Sequence, residues 1–122
     1  MNIKEIEERS GLTRANIRYY EQEGLIAPVR RENKYRDYSE EDLETLLRIA
    51  LLRSLGFSLE EIRRLQSGEA DFAAAMRERS AALESEGQRL LAARNVCDAI
   101  SREVTSYSAL RPEDYPNGFE PD

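Results

Sequence analysis

From Met76 to Val104 an apolar side chain returns every seventh residue: Met76, Leu83, Leu90, Cys97 and Val104. Around that series, residues 69–104 are rich in alanine, glutamate and arginine, the composition of a long solvent-facing helix. A companion series four residues before each of these is Phe72, Arg79, Glu86, Ala93 and Ile100, and spacings of four and three alternate between the two. An apolar seam of this length on a polar helix has nothing to bury it in a chain of 122 residues. It therefore demands a partner helix, with Phe72, Met76, Leu83, Leu90, Ala93, Cys97, Ile100 and Val104 as the expected dimerisation contacts. Arg79 and Glu86 interrupt the seam and Gly87 sits mid-helix. The coiled coil is imperfect, and its register and orientation are left open at this point.

The residues before the seam read as short helices broken by turns. Ile3 and Ile6 stand at helical spacing behind Asn2, with Glu5 in capping-box position, and the helix should stop near Ser10-Gly11. Thr13 caps a second helix over about residues 13–23, with Gly24 at its C′ position and Pro28 soon after. Two short helices around a glycine turn make a helix-turn-helix pattern. From Val29 to Tyr38 the signal is a short hairpin with Asn33-Lys34 at its tip. Ser39 caps a longer helix whose Leu43, Leu46, Leu47, Ala50, Leu51 and Leu55 should supply much of the core, ending at Gly56. Ser58-Leu59-Glu60-Glu61 opens a last short helix, with Ile62 and Leu65 inward and Gly68 as its stop. Thr105 to Asp122, with three of the four prolines, reads as an irregular, partly mobile tail. The organisation is thus mainly α: a winged helix-turn-helix over 1–68, a long dimerisation helix over 69–104 and a tail over 105–122.

Composition narrows the function. There is one cysteine and no histidine, which rules out an internal disulfide and speaks against a metal cage within one chain or histidine-based catalysis. No cofactor or metal is expected, and no convergent nucleophile and base suggests an enzyme. No apolar stretch is long enough for a membrane span or a signal peptide, so the expected location is the cytoplasm, with no membrane partner. The net charge of −6 is unevenly spread. Residues 1–68 hold 12 basic and 13 acidic side chains, and residues 69–122 hold 6 and 11. Within 14–36 there are 6 basic against 3 acidic, and phosphate responds to such a local face rather than to the total.

The run from Gly11 to Ile26, with Arg18-Tyr19-Tyr20-Glu21 followed by Gly24-Leu25, resembles the opening of the MerR family of transcriptional regulators. Pro28, the Tyr35-Arg36-Asp37-Tyr38-Ser39 run and the Leu55-Gly56-Phe57-Ser58-Leu59-Glu60-Glu61-Ile62 run continue the likeness, which is continuous over about residues 1–68. The resemblance implies that the second helix enters the major groove and that residues 29–38 form a first wing on the DNA backbone. The 58–67 helix would belong to a second wing, and the long helix would pair antiparallel with that of a second copy. It also implies action at an over-long promoter spacer, where effector-bound family members untwist and bend DNA so that RNA polymerase engages both elements; polymerase is thus an indirect partner. Where the family often has glycine after the wing asparagine, this chain has Lys34.

The candidate DNA contacts are Thr13, Arg14, Asn16, Arg18, Tyr19 and Tyr20 on the second helix, Arg30, Lys34, Tyr35 and Arg36 on the wing, and Arg53. Arg14 and Arg18 lie one turn apart, and arginine pairs with guanine edges. Backbone N–H groups at the start of the second helix would serve phosphate. Tyr19 and Tyr20 are separated by about 100° and cannot face the same way. Tyr19 is assigned to DNA by the resemblance, while core packing competes for Tyr20. Arg31, Arg63 and Arg64 read as solvated charges, Arg53 as either phosphate contact or surface charge, and Tyr38 as a packing residue with its hydroxyl at the rim. Cys97, alone on the seam, reads as a small apolar filler rather than a sensor. The 18 residues after Val104 are too few for an independent ligand-binding domain, so the chain is either a short regulator or the regulatory part of a longer product. The effector is unknown. Two other functions compete: an excisionase-like architectural protein that bends DNA without sensing, and a coiled-coil module without DNA.

Overall fold

The computed structural model describes residues 1–32 and 35–115. It divides into two units, Met1–Ala70 and Asp71–Asp122.

The first unit opens with α1 (Ile3–Ser10) and α2 (Arg14–Gln22). The Asn2 side chain accepts the Glu5 N–H at 2.9 Å, and Thr13 Oγ1 accepts that of Asn16 at 3.1 Å, so each helix begins on its own cap. The end of α2 is a Schellman turn. Gly24, at φ 79°, donates to the Glu21 carbonyl at 3.0 Å, and Leu25 donates to that of Tyr20 at 2.9 Å. That geometry turns Leu25 and Ile26 into the core.

The wing is a two-stranded antiparallel hairpin, β1 (Val29–Arg30) with β2 (Arg36–Asp37), in which Val29 faces Asp37 and Arg30 faces Arg36. Its expected tip, Asn33-Lys34, lies outside the described residues. An isolated hairpin is marginal in water, and this one is tied down at its base. The Met1 amino group donates to Asp37 Oδ1 at 3.0 Å and to the Tyr38 carbonyl at 2.6 Å, while Tyr38 N–H donates to the Met1 carbonyl at 2.7 Å. The amino group, with help from Arg31, holds the Asp37 carboxyl below its ordinary value.

The helices α3 (Glu40–Ser54) and α4 (Leu59–Ser67) both start with complete capping boxes, Ser39 with Asp42 and Ser58 with Glu61. Between them Gly56, at φ 96°, lets Phe57 N–H reach the Leu52 carbonyl at 3.1 Å, and Phe57 is buried. The core is formed by Ile6, Ile17, Tyr20, Leu25, Ile26, Tyr38, Leu43, Leu46, Ile49, Phe57 and Ile62.

The expected inward face of α3 needs correction. Leu43 and Leu46 are buried, but Leu47, Leu51 and Leu55 are exposed and Ile49 takes their place inside. Steps of three residues drift back by about 60° and steps of four run forward by about 40°. The rows Leu43-Leu46-Ile49 and Leu47-Leu51-Leu55 therefore part along the helix, and the packing against α1 and α4 uses the first. Leu65 on α4 is half-buried.

The second unit is α5 (Phe72–Glu103), capped by Asp71, whose side chain accepts the Ala74 N–H at 2.9 Å. None of its 32 residues is buried. The segment beyond it, expected to be irregular, contains two 3-10 turns, Tyr107–Ala109 and Pro112–Asp114. Tyr115 donates its hydroxyl to Glu103 Oε2 at 2.6 Å, which pushes its own pKa up to about 12. Among the described residues no helix is long and apolar enough to cross a membrane.

Candidate nucleic-acid interface

The exposed side of α2 is set by what its other side must bury. Ile17 and Tyr20 fill the core, which leaves Arg14, Asn16, Arg18 and Tyr19 outward. Tyr20 is only 7% exposed against 47% for Tyr19, although the rings remain neighbours with centroids 6.1 Å apart. The expectation that Tyr20 contacts DNA is therefore corrected: one helical step of about 100° sends consecutive residues to different faces, and the core claims the second tyrosine.

The start of α2 also differs from expectation. Glu7 of α1 accepts the Arg14 N–H through Oε2 at 2.7 Å, and its Oε1 lies 3.6 Å from the Arg14 guanidinium. With Thr13 accepting from Asn16, two of the N–H groups expected to serve phosphate are already satisfied within the chain.

Tertiary structure gathers the remaining candidates. Arg18, Tyr35 and Arg36 line one open cleft together with Asn2, Ile3 and Lys4. Arg18 and Arg36 also line an adjoining one with Glu21, Gln22 and Arg30. Residues some 20 apart in sequence thus form one cationic surface between α2 and the hairpin. Lys4 was missed by the sequence reading. No spacing in the sequence brings Lys4 to that cleft, which folding alone creates.

Arg36 is the most constrained cation of the group. Its Nε donates to Glu21 Oε1 at 2.8 Å, with side-chain exposures of 28% and 14% for the two partners. That bond raises the Arg36 pKa, against the opposing effect of burial. Tyr38 is buried beside the pair with its hydroxyl 3.5 Å from Glu21 Oε2, and burial, followed by the Glu21 charge, pushes its phenol up. Arg53 donates to the Phe57 carbonyl at 3.1 Å, bracing the turn before α4 with one arm of its guanidinium. Arg31 pairs with Asp37 at 3.1 Å. Lys34 lies outside the described residues.

Among the seam positions, Phe72, Leu83, Leu90 and Cys97 are exposed, while Met76, Ala93, Ile100 and Val104 are half-buried. Among the described residues there is no cluster of groups suited to hold a metal ion.

Residues 1–69 match the family described as "MerR HTH family regulatory protein". An HTH-type transcriptional regulator HmrR of Rhizobium leguminosarum bv. viciae is 54% identical over 65 residues, 53% of this chain and 50% of that protein. An uncharacterised HTH-type transcriptional regulator of Pseudomonas aeruginosa is 40% identical over 112 residues, 91% of this chain and 77% of that protein. In the first relatives, the match spans about half of their length. Among solved structures, the N-terminal part of MtaN, the Bacillus subtilis multidrug transporter activator, aligns over 87% of this chain and 99% of its own with a TM-score of 0.71 and 29% identity. HiNmlR, described as a MerR family regulator lacking the sensor domain and bound to promoter DNA, aligns over 84% of this chain and 74% of its own with a TM-score of 0.53 and 25% identity.

Proposed function

Because the chain belongs to the MerR family, we propose that it is a sequence-specific DNA-binding transcriptional regulator, acting as a homodimer on promoter DNA. The observation that carries this reading is the convergence of Lys4, Arg18, Arg30, Tyr35 and Arg36 on the surface between α2 and the hairpin. Such a surface can place a helix in a groove while its flank neutralises phosphates. Arg14, Asn16, Arg18 and Tyr19 are assigned to the groove. Arg30, Lys34, Tyr35 and Arg36, joined by Lys4, are assigned to the backbone, with Thr13 and Arg53 at the edges. The chain-wide charge of −6 is no obstacle, since field strength at the surface depends on the local excess.

The seam along α5 and its C-cap, exposed or half-buried at every position, supports dimerisation through Phe72, Met76, Leu83, Leu90, Ala93, Cys97, Ile100 and Val104. Two such subunits would sit on the spacer of a promoter in the cytoplasm and act on RNA polymerase by distorting the DNA between its two elements. The architectural alternative without sensing has no observation of its own in its favour.

Protection mapping on the DNA upstream of its own gene, followed by titration of the protected duplex with Arg18→Ala, tests the reading. If Arg18 reads a base, specific affinity should fall by about 1–3 kcal/mol. Unchanged affinity for that duplex removes Arg18 from the recognition set.

A further inference from the structure

Glu21 is an acid on a surface proposed to bind phosphate, where a carboxylate should cost affinity by repulsion. Its geometry shows what it does there. Oε1 accepts from Arg36 Nε at 2.8 Å and Oε2 faces the Tyr38 hydroxyl at 3.5 Å, so one α2 side chain holds both β2 and the residue just after it. Both partners of the ion pair are largely withdrawn from solvent, which strengthens a charge-assisted bond relative to a surface pair. A guanidinium is a rigid planar fork with five N–H donors. Fixing it through Nε sets the direction of the Nη1 and Nη2 edge, which makes no hydrogen bond among the described residues.

We propose that Glu21 is a positioning residue for DNA recognition. By clamping Arg36 through Nε, it sets the angle of the wing against the recognition helix and aims the Nη edge of Arg36 at a phosphate. This inference rests on the DNA-binding reading and specifies how its two halves are kept in register. Simple repulsion and positioning make opposite claims: removing the carboxylate strengthens binding to every duplex in the first case and weakens specific binding in the second.

The experiment uses the full chain as wild type, Glu21→Ala, Glu21→Gln, Arg36→Ala and the Glu21→Ala/Arg36→Ala double variant. Each is titrated against the duplex delimited by protection mapping and against a shuffled duplex of equal length and composition. Glu21→Ala should lose about tenfold in affinity for the mapped duplex, a coupling of ordinary size for a contacting pair, while affinity for the shuffled duplex holds or rises. Glu21→Gln, which keeps an oxygen acceptor for Nε, should recover part of the loss. In the Arg36→Ala background, Glu21→Ala should cost nothing further. Undiminished binding of the mapped duplex by Glu21→Ala overturns the proposal. So does an equal loss with and without Arg36, because that is damage to the fold. If wild type protects no duplex in the mapping, the DNA-binding reading itself fails, and the proposal falls with it.

Discussion

Eleven apolar side chains are buried among the described residues of the first unit, whereas α5 buries none across 32 residues. The first unit has capped helices, two complete capping boxes, a pinned hairpin and a core reached from all four of its helices. In α5 there is a cap, high helix propensity and rows of exposed leucine at Leu83, Leu90 and Leu91. Propensity alone leaves a helix in water marginal, and most helical stability in proteins comes from packing an apolar face. The contrast teaches that the two regions differ in their source of stability: one has its own core, and the other, on the dimer reading proposed above, depends on association.

The largest expected effect breaks the second of these. Glu introduced at both Leu83 and Leu90 places four buried charges in each antiparallel or parallel pair of helices, and unpaired charges are not tolerated in such a seam. The expected outcome is a monomer in sedimentation equilibrium, with a large loss of far-ultraviolet helix signal and near-ultraviolet tyrosine signals preserved. A retained dimer would move the seam to another face of α5.

How much of this was legible beforehand follows the same division. Caps and stops are local chemistry, so Asn2, Thr13, Ser39, Ser58, Gly24 and Gly56 could be read one at a time. The inward face of α3 is a tertiary property. Leu47, Leu51 and Leu55 are as apolar as Leu43 and Leu46, and only the placement of α1 and α4 decides between the rows. Lys4 joins the cationic surface because folding carries the start of α1 to the wing, a neighbourhood with no sequence spacing to announce it. Likewise Glu21 stands in a legible motif, but its bond to Arg36, 15 residues on, appears only in three dimensions. The fate of the Arg14 N–H was missed for the same reason, since Glu7 reaches it from another helix.

The first unit can be tested through Leu46, which is fully buried. Leu46→Ala removes packed atoms from a core that can only partly close over the gap, so urea unfolding should register a loss of about 2–5 kcal/mol. Under conditions where the variant remains folded, its oligomeric state should match wild type, because Leu46 lies in the other region. A shift to monomer at full occupancy of the folded state would show that the two sources of stability are not separate.

The smallest expected effect sharpens the comparison inside α5. Gly87 is helical, and a Cβ built on it meets nothing within 4 Å in this chain. Glycine mid-helix costs roughly 0.5–1 kcal/mol relative to alanine, so Gly87→Ala should raise the stability of the helix by about that amount. The measurement is the thermal midpoint of the far-ultraviolet signal at fixed protein concentration, paired with the dimer dissociation constant. If Gly87 faces solvent in the dimer, the midpoint rises and the dissociation constant holds or tightens. If the partner's backbone approaches at Gly87, the added methyl group loosens the dimer despite the better propensity. A fall in midpoint would therefore place glycine at the helix–helix contact and assign the break in the heptad pattern at Glu86-Gly87 to close packing between copies.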